Sequence, residues 1–448
     1  MKDSKPGIQR SVPGMSDQLR FSPKWQIAIL VACCIGMLIH LTFTVRRVGT
    51  KIGDYDVNRE FGRRFLAHED LYEGGQCFNY MPISALYWAP MALVPPRVGM
   101  ACRYLMAIVC LALTFRMLSS MAFPDRQRDQ RKVTATALIS LILAAHYLLR
   151  DFDDGGPHVI LLAILVGGVY CIGRGREKLA AFWLGLGIAT KITPGLFLPL
   201  LLWKRQWRLA GYTAAATILW ILLPAVWMGP TSWWQHQQQW NQVALSVFQE
   251  SHDPGRDDNE QRVQNQALKP AIIRYLVTYP PGHPMRLDQA GYADFLNWSP
   301  AAAGRAADIT ILMLALVFCW RARKMWKGSG PRVVLGETSA LLLLVLLFSP
   351  VTWLQHFVFA LPAIFFIVTE PPSSSEKLTR WLLGFYVILA LVINRELVGK
   401  ENYLLLLSYH THTLCLLLLF ALVMVDLSLS KTAQMELMES SRRRAQAA

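Results

Sequence analysis

The chain has 448 residues, of which 53% are hydrophobic and only 17% are charged. Soluble globular proteins carry about 25% charged residues, so this composition excludes an ordinary soluble domain. The formal net charge is +15, but the Lys and Arg residues lie in short segments between apolar runs. That distribution follows the positive-inside rule for cytoplasmic loops of membrane proteins, and it argues against nucleic-acid binding as the reason for the charge.

The apolar residues are collected into about 10–13 segments that reach, or nearly reach, the length a helix needs to cross a bilayer. The first span, about residues 25–45, follows a polar tail and has no small-residue cleavage site, so it is interpreted as a retained signal anchor. The sequence therefore predicts an all-α polytopic membrane protein. One membrane domain is expected over residues 25–428, with cytoplasmic tails at 1–24 and 429–448.

Two apolar stretches are predicted not to cross the bilayer completely. Pro82–Pro95 is short and bounded by prolines, so it can dip into the membrane and return. Leu179–Leu202 is interrupted at Lys191 and Pro194, so it can form a re-entrant pair of half-helices, which are tolerated where protein packs around them. With these two allowances, the long loops at about 45–81 and 229–300 share the extracytoplasmic side with Lys191. Trp233–Trp240 within the second loop is predicted to form a helix on the membrane surface.

The polar segments offer little support for a metal or a disulfide framework. The eight cysteines include no CxxC pair, which is the spacing that zinc sites and redox motifs use. Asp151, Asp153 and Asp154 supply oxygen ligands of the kind that Mg²⁺ or Mn²⁺ prefers. A polar turn excluded from the cytoplasm is the interpretation that we favour, so no cofactor is expected.

Two carboxylates follow the first span directly. Asp54 and Asp56 would lie close to the bilayer surface, where a carboxylate can take a proton from a sugar hydroxyl. Either residue could instead cap the helix predicted over Val57–Ala67. The residues alone leave both alternatives open.

The stretch from Asp54 to Tyr72, followed by Phe78-Asn79-Tyr80-Met81-Pro82, resembles the opening of glycosyltransferase family 87. These are polyprenyl-phosphate-sugar-dependent transferases of the membrane GT-C class, and they include bacterial mannosyltransferases. The family pattern has an Asp after the first span and a Tyr eighteen residues later, as Asp54 and Tyr72 do here. This spacing selects Asp54 rather than Asp56 as the match to the catalytic carboxylate. Met81 departs from the pattern, which has Pro there.

Four further stretches resemble the family in the same order, and together the matches span Asp54–Phe366. Gly156 and His158 replace the family's Gln and Asn, and Gln355 replaces one of two consecutive His residues. The four stretches are Arg150–His158, Gly185–Pro194 with Lys191, Asn265-Gln266 with Arg274, and Ser349–His356.

The resemblance implies a GT-C-like transmembrane helix bundle in the cell membrane, with extracytoplasmic loops and juxtamembrane helices. It implies inverting transfer of a hexose, mannose in many members, from a polyprenyl-phosphate donor to a glycolipid or envelope-glycan acceptor. Asp54 would be the general base. Fixed cations stabilise a departing phosphate, and that role would fall to Lys191, Arg274 and His356. Tyr80, Asn265 and Gln266 would contact the sugar.

Structural alternatives stand beside these roles. Lys191 could snorkel or pair with a carboxylate, and Arg274 could be a solvated loop residue. His356 could be a packing residue, while Asn265 and Gln266 could cap a helix that begins near Leu268.

Two other classes of function remain as alternatives for the whole chain. A lipid-linked-sugar transporter or flippase would need ionisable residues strung through the membrane, and few lie within the apolar segments. A non-catalytic scaffold of envelope assembly would tolerate loss of Asp54.

Overall fold

The protein is described here from a computed structural model. The structure describes residues 23–50, 53–73, 80–123, 130–250, 263–287, 290–292, 294–327, 329–369 and 377–427. Every regular element in these ranges is a helix, which confirms the predicted all-α class. Residues 1–22 and 428–448, which make up almost all of the two predicted tails, lie outside the described residues, as do Phe78 and Asn79 of the first motif.

Short turns connect the helices throughout the chain. The N-terminal half contains α1 (Pro23–Arg47), α2 (Asp54–Ala67), α3 (Ile83–Ala92), α4 (Pro96–Ala122), α5 (Gln130–Asp154), α6 (His158–Gly173), α7 (Glu177–Thr190), a first 3₁₀ helix (Thr193–Leu196), α8 (Phe197–Trp203) and α9 (Trp207–Leu222). The rest contains α10 (Ala225–Met228), α11 (Pro230–Glu250), α12 (Leu268–Leu276), α13 (Pro284–Leu287), α14 (Pro300–Arg321), α15 (Pro331–Phe348), a second 3₁₀ helix (Leu354–Ala360), α16 (Leu361–Thr369), α17 (Lys377–Val392), α18 (Arg395–Ser408) and α19 (Thr411–Leu427).

Six helical segments are long and apolar enough to cross a bilayer, so the chain is a multi-pass membrane protein. They are Ile27–Arg47, Pro96–Ala122, Gln130–Asp154, Trp207–Met228, Pro300–Arg321 and Pro331–Phe348. The pair Thr379–Val392 and Leu397–Ser408 adds a seventh if the two helices form one span broken by a bend of 111°. The number is lower than the 10–13 segments expected, because other apolar segments of the described chain fold as helices of 10–17 residues.

Burial separates a central helix from outer ones. Of the apolar window of α15, 78% is buried inside the protein, against 6% for α1 and 22% for α14. A helix that is apolar all round is stable when protein surrounds it, and the leucine-rich sequence of α15 meets that description. The exposed apolar faces of α1 and α14 are suited to contact lipid.

The two stretches predicted to cross incompletely are both short or broken. Helix α3 has ten residues, well below the ~17–25 that a crossing helix needs. Helix α7 ends at Thr190 and the first 3₁₀ helix begins at Thr193, so the interruption predicted at Lys191 is confirmed. The re-entrant path of the two halves stays a prediction.

Helix α11 does more than lie on a surface. It contains the predicted Trp233–Trp240 helix, but Trp240 is buried and packs with Met81 and Ala189. Because Ala189 is two residues before Lys191, α11 covers the region in which the chain breaks.

Helices α2 and α3 pack unusually closely. A Cβ atom at Gly62 of α2 would lie 2.4 Å from the carbonyl carbon of Trp88 in α3, so only glycine permits this approach. Phe61 and Phe65 lie on the buried side of α2 and pack with Ala85 of α3. This contact fixes the direction of α2, whose first residue is Asp54.

Candidate active site

Asp54 is the first residue of α2 and does not cap it. The helix begins three residues earlier than the predicted Val57 start. The carboxylate of Asp56 accepts a hydrogen bond from the backbone N–H of Gly53 (3.2 Å), which is the contact that an acidic residue makes when it reaches back to a helix start. Capping therefore falls to Asp56, and the side chain of Asp54 is left for another role.

The Asp54 carboxylate contacts a residue that is far away in the chain. Gln355 Nε2 donates a hydrogen bond to Asp54 Oδ2 over 3.1 Å. Burial raises the pKa of Asp54 above its usual value, and the hydrogen bond from Gln355 acts in the opposite direction. A carboxylate with a raised pKa is a stronger base once it is ionised, which suits proton abstraction.

Lys191 lies in the break between α7 and the first 3₁₀ helix. Its Nζ is 3.1 Å from Nε2 of His356, and it lies over the ring of Tyr80 at 5.9 Å from the centroid. Burial lowers the pKa of Lys191 to about 7, while Asp54 and Asp151 act to raise it. The ammonium therefore contacts an imidazole and an aromatic face in the interior, so Lys191 does not snorkel to solvent.

Two consecutive residues bring the carboxylate and the ammonium together. Gln355 contacts Asp54 and His356 contacts Lys191, and both belong to the second 3₁₀ helix. Asp54 also acts electrostatically on Lys191. The predicted residues Asp54, Lys191, His356 and Tyr80 thus form one polar site, which we call the Asp54–Lys191 site.

A buried ion pair supports this site from behind. Arg103 of α4 and Asp151 of α5 pair at 2.7 Å with both side chains fully buried, and Arg103 also donates to the carbonyl of Gly156. Asp151 Oδ1 is 2.9 Å from His158 Nδ1, and His158 Nε2 is 3.1 Å from the hydroxyl of Tyr80.

The hydrogen bonds of this support have a defined direction. Ionised Asp151 can only accept, so His158 carries its proton on Nδ1, and Nε2 of the neutral ring accepts from the Tyr80 O–H. The oxygen of Tyr80 then keeps its lone pairs for a hydroxyl of a bound molecule. The His158 and His356 rings lie 4.5 Å apart, so this support also contacts the partner of Lys191.

The sequence reasoning missed Arg103, Asp151, His158 and Gln355 as members of the site. Asp151 was assigned to a polar turn, and the other two motif positions were treated as departures from the family pattern. A signal was present, because Arg103 lies inside an apolar span, and an ionisable residue there needs a partner and marks a functional region by default.

The model of glycosyltransferase family 87 matches residues 78–350. The chain belongs to glycosyltransferase family 87. The matched range contains Tyr80, Arg103, Asp151, His158 and Lys191. It begins after Asp54 and ends before Gln355 and His356, so those residues enter the site through the structure.

The chain is similar to two curated relatives over most of their length. A polyprenol-phosphate-mannose-dependent alpha-(1-2)-phosphatidylinositol mannoside mannosyltransferase of Mycobacterium tuberculosis is 25% identical over 340 residues, 70% of this chain and 69% of the relative. The protein of the same description from Mycolicibacterium smegmatis is 23% identical over 334 residues, 69% of this chain and 68% of the relative. No solved structure matches the chain at a significant level. The family assignment makes this chain a membrane glycosyltransferase.

The three carboxylates near the end of α5 do not share a centre in this family 87 enzyme. Asp151 pairs with Arg103. Asp153 pairs with Arg47 at 2.9 Å, and Asp154 pairs with Arg150 at 2.8 Å. Within the ranges that the structure describes, no group of three or more His, Cys, Asp or Glu side chains could hold a metal ion.

Asn265 and Gln266 contact backbone groups. The side chain of Asn265 donates to the carbonyl of Pro350 and accepts from the N–H groups of Thr352 and Ala267. Gln266 donates to the carbonyls of Val263 and Leu407. These bonds tie the loop before α12 to the turn that precedes Gln355, so the two residues act on the position of the site from outside.

Arg274 lies in a separate cluster. Its guanidinium donates to the carbonyls of Ser408 and Gly291 and contacts the rings of Tyr275, Tyr292 and Tyr409 at 5.0–5.6 Å from their centroids. Arg274 is buried, so it is not a solvated loop residue. The structure does not place its guanidinium against Lys191 or His356; it places it among the tyrosines.

Proposed function

We propose that this family 87 enzyme transfers a mannosyl residue from a polyprenyl-phosphate donor to a hydroxyl of a glycolipid or envelope-glycan acceptor, with inversion at the anomeric carbon. The family assignment supports glycosyl transfer, and the names of both relatives support the donor and a phosphatidylinositol mannoside as the kind of acceptor. Low identity to these relatives leaves the exact acceptor to experiment.

The observation that carries the proposal is the pairing of a base and a cation by adjacent residues. Sugar transfer from a lipid phosphate needs a group that removes a proton and a cation that stabilises the phosphate. Gln355 and His356 hold these two groups, Asp54 and Lys191, in one site.

The reaction that fits this arrangement is a single displacement. The acceptor oxygen forms a bond to the anomeric carbon while its proton passes to the carboxylate of Asp54. The bond between the anomeric carbon and the phosphate oxygen breaks, and its electron pair stays on that oxygen. Lys191 offsets the developing charge, and His356 fixes the position of the Lys191 ammonium. One displacement inverts the configuration at the sugar.

The site is built from helix ends, which favours an enzyme over a transporter. Asp54 begins α2, Asp151 lies in the last turn of α5, His158 begins α6 and Lys191 follows α7. The ionisable residues of the site are thus gathered in one place rather than strung along a path through the bundle. The basic segments of the sequence assign this place to the extracytoplasmic side.

The test measures transfer of radiolabelled mannose from synthetic polyprenyl-phosphate mannose to phosphatidylinositol mannosides in membranes. Asp54→Asn keeps the shape of the side chain and removes the base, so we expect transfer to fall about 100-fold or more at equal membrane abundance. Asp56→Asn is the matched control, because Asp56 lies on the same helix and bonds only to the backbone of Gly53 in the described structure. Equal activity of wild type and Asp54→Asn would rule out Asp54 as the base and favour a scaffold.

A further inference from the structure

Gln355 makes the hydrogen bond that fixes the catalytic carboxylate. It lies 301 residues after Asp54 in the chain, and its side chain is 8% exposed. In the part of the chain that the structure describes, no second hydrogen bond reaches this carboxylate. The orientation of Asp54 therefore depends on one amide group.

The chemistry of the two groups defines which atoms meet. An ionised carboxylate only accepts hydrogen bonds, so the amide nitrogen of Gln355 is the donor. This bond engages Oδ2 of Asp54 and leaves Oδ1 to accept a proton. A carboxylate fixed at one oxygen presents the other in a constant direction, and catalysis depends on such positioning.

We propose that Gln355 is a positioning residue, which holds Oδ2 of Asp54 so that Oδ1 takes the proton of the acceptor hydroxyl. The inference rests on the proposed function, because it takes Asp54 as the general base. It adds a role at the position where the family pattern has a histidine and this chain has an amide.

The amide differs from a histidine in one property that can be measured. An unperturbed imidazole changes its charge near pH 6.5, whereas the amide of Gln355 carries no titrating proton. The base of this chain is therefore held by a donor whose strength does not change with pH. The titratable or charged groups that also act on Asp54 are Tyr80, Arg150, Asp151, Asp154 and Lys191.

A positioning role and a packing role predict different effects on the pKa of Asp54. A hydrogen bond to the ionised form of an acid favours that form, so its removal raises the pKa. If Gln355 only filled space, a side chain of similar size would leave the pKa unchanged. The ionisation of Asp54 is thus the readout that separates the two roles.

The experiment compares Gln355→Met, which keeps the length and removes the donor, with Gln355→His, which supplies a donor again. The matched control is Gln239→Met, because Gln239 Nε2 bonds to Asp70 Oδ2 at 2.6 Å on the far end of α2's loop and not to Asp54. Two readouts are taken in membranes over a range of pH. One is kcat/KM for mannosyl transfer, and the other is labelling of the protonated Asp54 carboxyl by dicyclohexylcarbodiimide, quantified by peptide mass spectrometry.

Gln355→Met is expected to move the labelling midpoint of Asp54 to higher pH and to lower kcat/KM at pH 7 about tenfold or more, as loss of a hydrogen bond to a charged group does. Gln355→His should regain most of the activity, and Gln239→Met should match wild type in both readouts.

The labelling midpoint separates failure of this inference from failure of the proposed function. An unchanged midpoint in Gln355→Met overturns the positioning role, whether or not the wild type transfers mannose. A shifted midpoint with unchanged transfer also overturns it, because the bond would then not serve the reaction. If Asp54→Asn itself leaves transfer intact, the proposed function fails instead.

Discussion

The alkaline side of the pH profile tests the role of Lys191. Burial lowers the pKa of Lys191 to about 7, and only the protonated form can stabilise a departing phosphate. As the pH rises through 7 the free enzyme loses this charge, so kcat/KM should fall about tenfold for each pH unit above that value. Between pH 7 and pH 9 the expected loss is about 100-fold. The acid side of the profile belongs to Asp54, which must be ionised to accept a proton.

Lys191→Arg isolates this effect because a guanidinium stays charged throughout the range. We expect lower activity in the variant, since the fork does not fit the place of an ammonium, but no alkaline decrease up to pH 9. The assay is kcat/KM for mannosyl transfer at pH 6–9 with the donor below KM. An alkaline decrease that persists unchanged in Lys191→Arg would show that another group titrates, and the assignment of Lys191 to the phosphate would be withdrawn.

Two further predictions concern the surroundings of the site. Tyr80→Phe removes the hydroxyl that bonds to His158, so kcat/KM should fall about fivefold to tenfold with little change in the melting temperature; an unaltered kcat/KM would argue against contact of Tyr80 with substrate. Gly62→Ala forces a Cβ to within 2.4 Å of the α3 backbone, so it should lower the free energy of unfolding by about 1–3 kcal/mol. Gly211→Ala in α9 is its control, because no atom lies within 4 Å of that Cβ, and equal melting temperatures of the two variants would contradict the packing argument.

The sequence predicted the residues of the site whose chemistry is visible without a partner. Asp54 stands out because it follows a span, and Lys191 because it interrupts one. Both residues, with His356, meet in the structure. The fold class follows for a similar reason, since apolar runs of this length have no alternative to helix in a membrane.

The other members of the site could not be predicted because their roles depend on contacts across the chain. His158 gains a function from Asp151 and Tyr80, and a sequence pattern records only that it replaces an Asn. Arg274 shows the opposite case. Its charge suggested a phosphate contact, but three tyrosine rings and two carbonyls surround it, and only the fold reveals them.

The number of spans was overestimated for a physical reason. Hydropathy measures how apolar a segment is, and segments such as His158–Gly173 and Leu354–Thr369 are apolar. Their length is limited by turns that hold polar residues of the site, among them Asp151, His158 and Gln355. The segments are apolar because protein surrounds them.

The adjacency of Gln355 and His356 has a mechanical consequence. A long lipid chain must enter and leave between helices, and such passage moves helices relative to one another. A shift of the second 3₁₀ helix would release the carboxylate and the ammonium in the same motion, because its two neighbouring side chains hold them. The enzyme would then switch its base and its cation as one unit, assembled when the donor is enclosed and dismantled when the spent lipid departs.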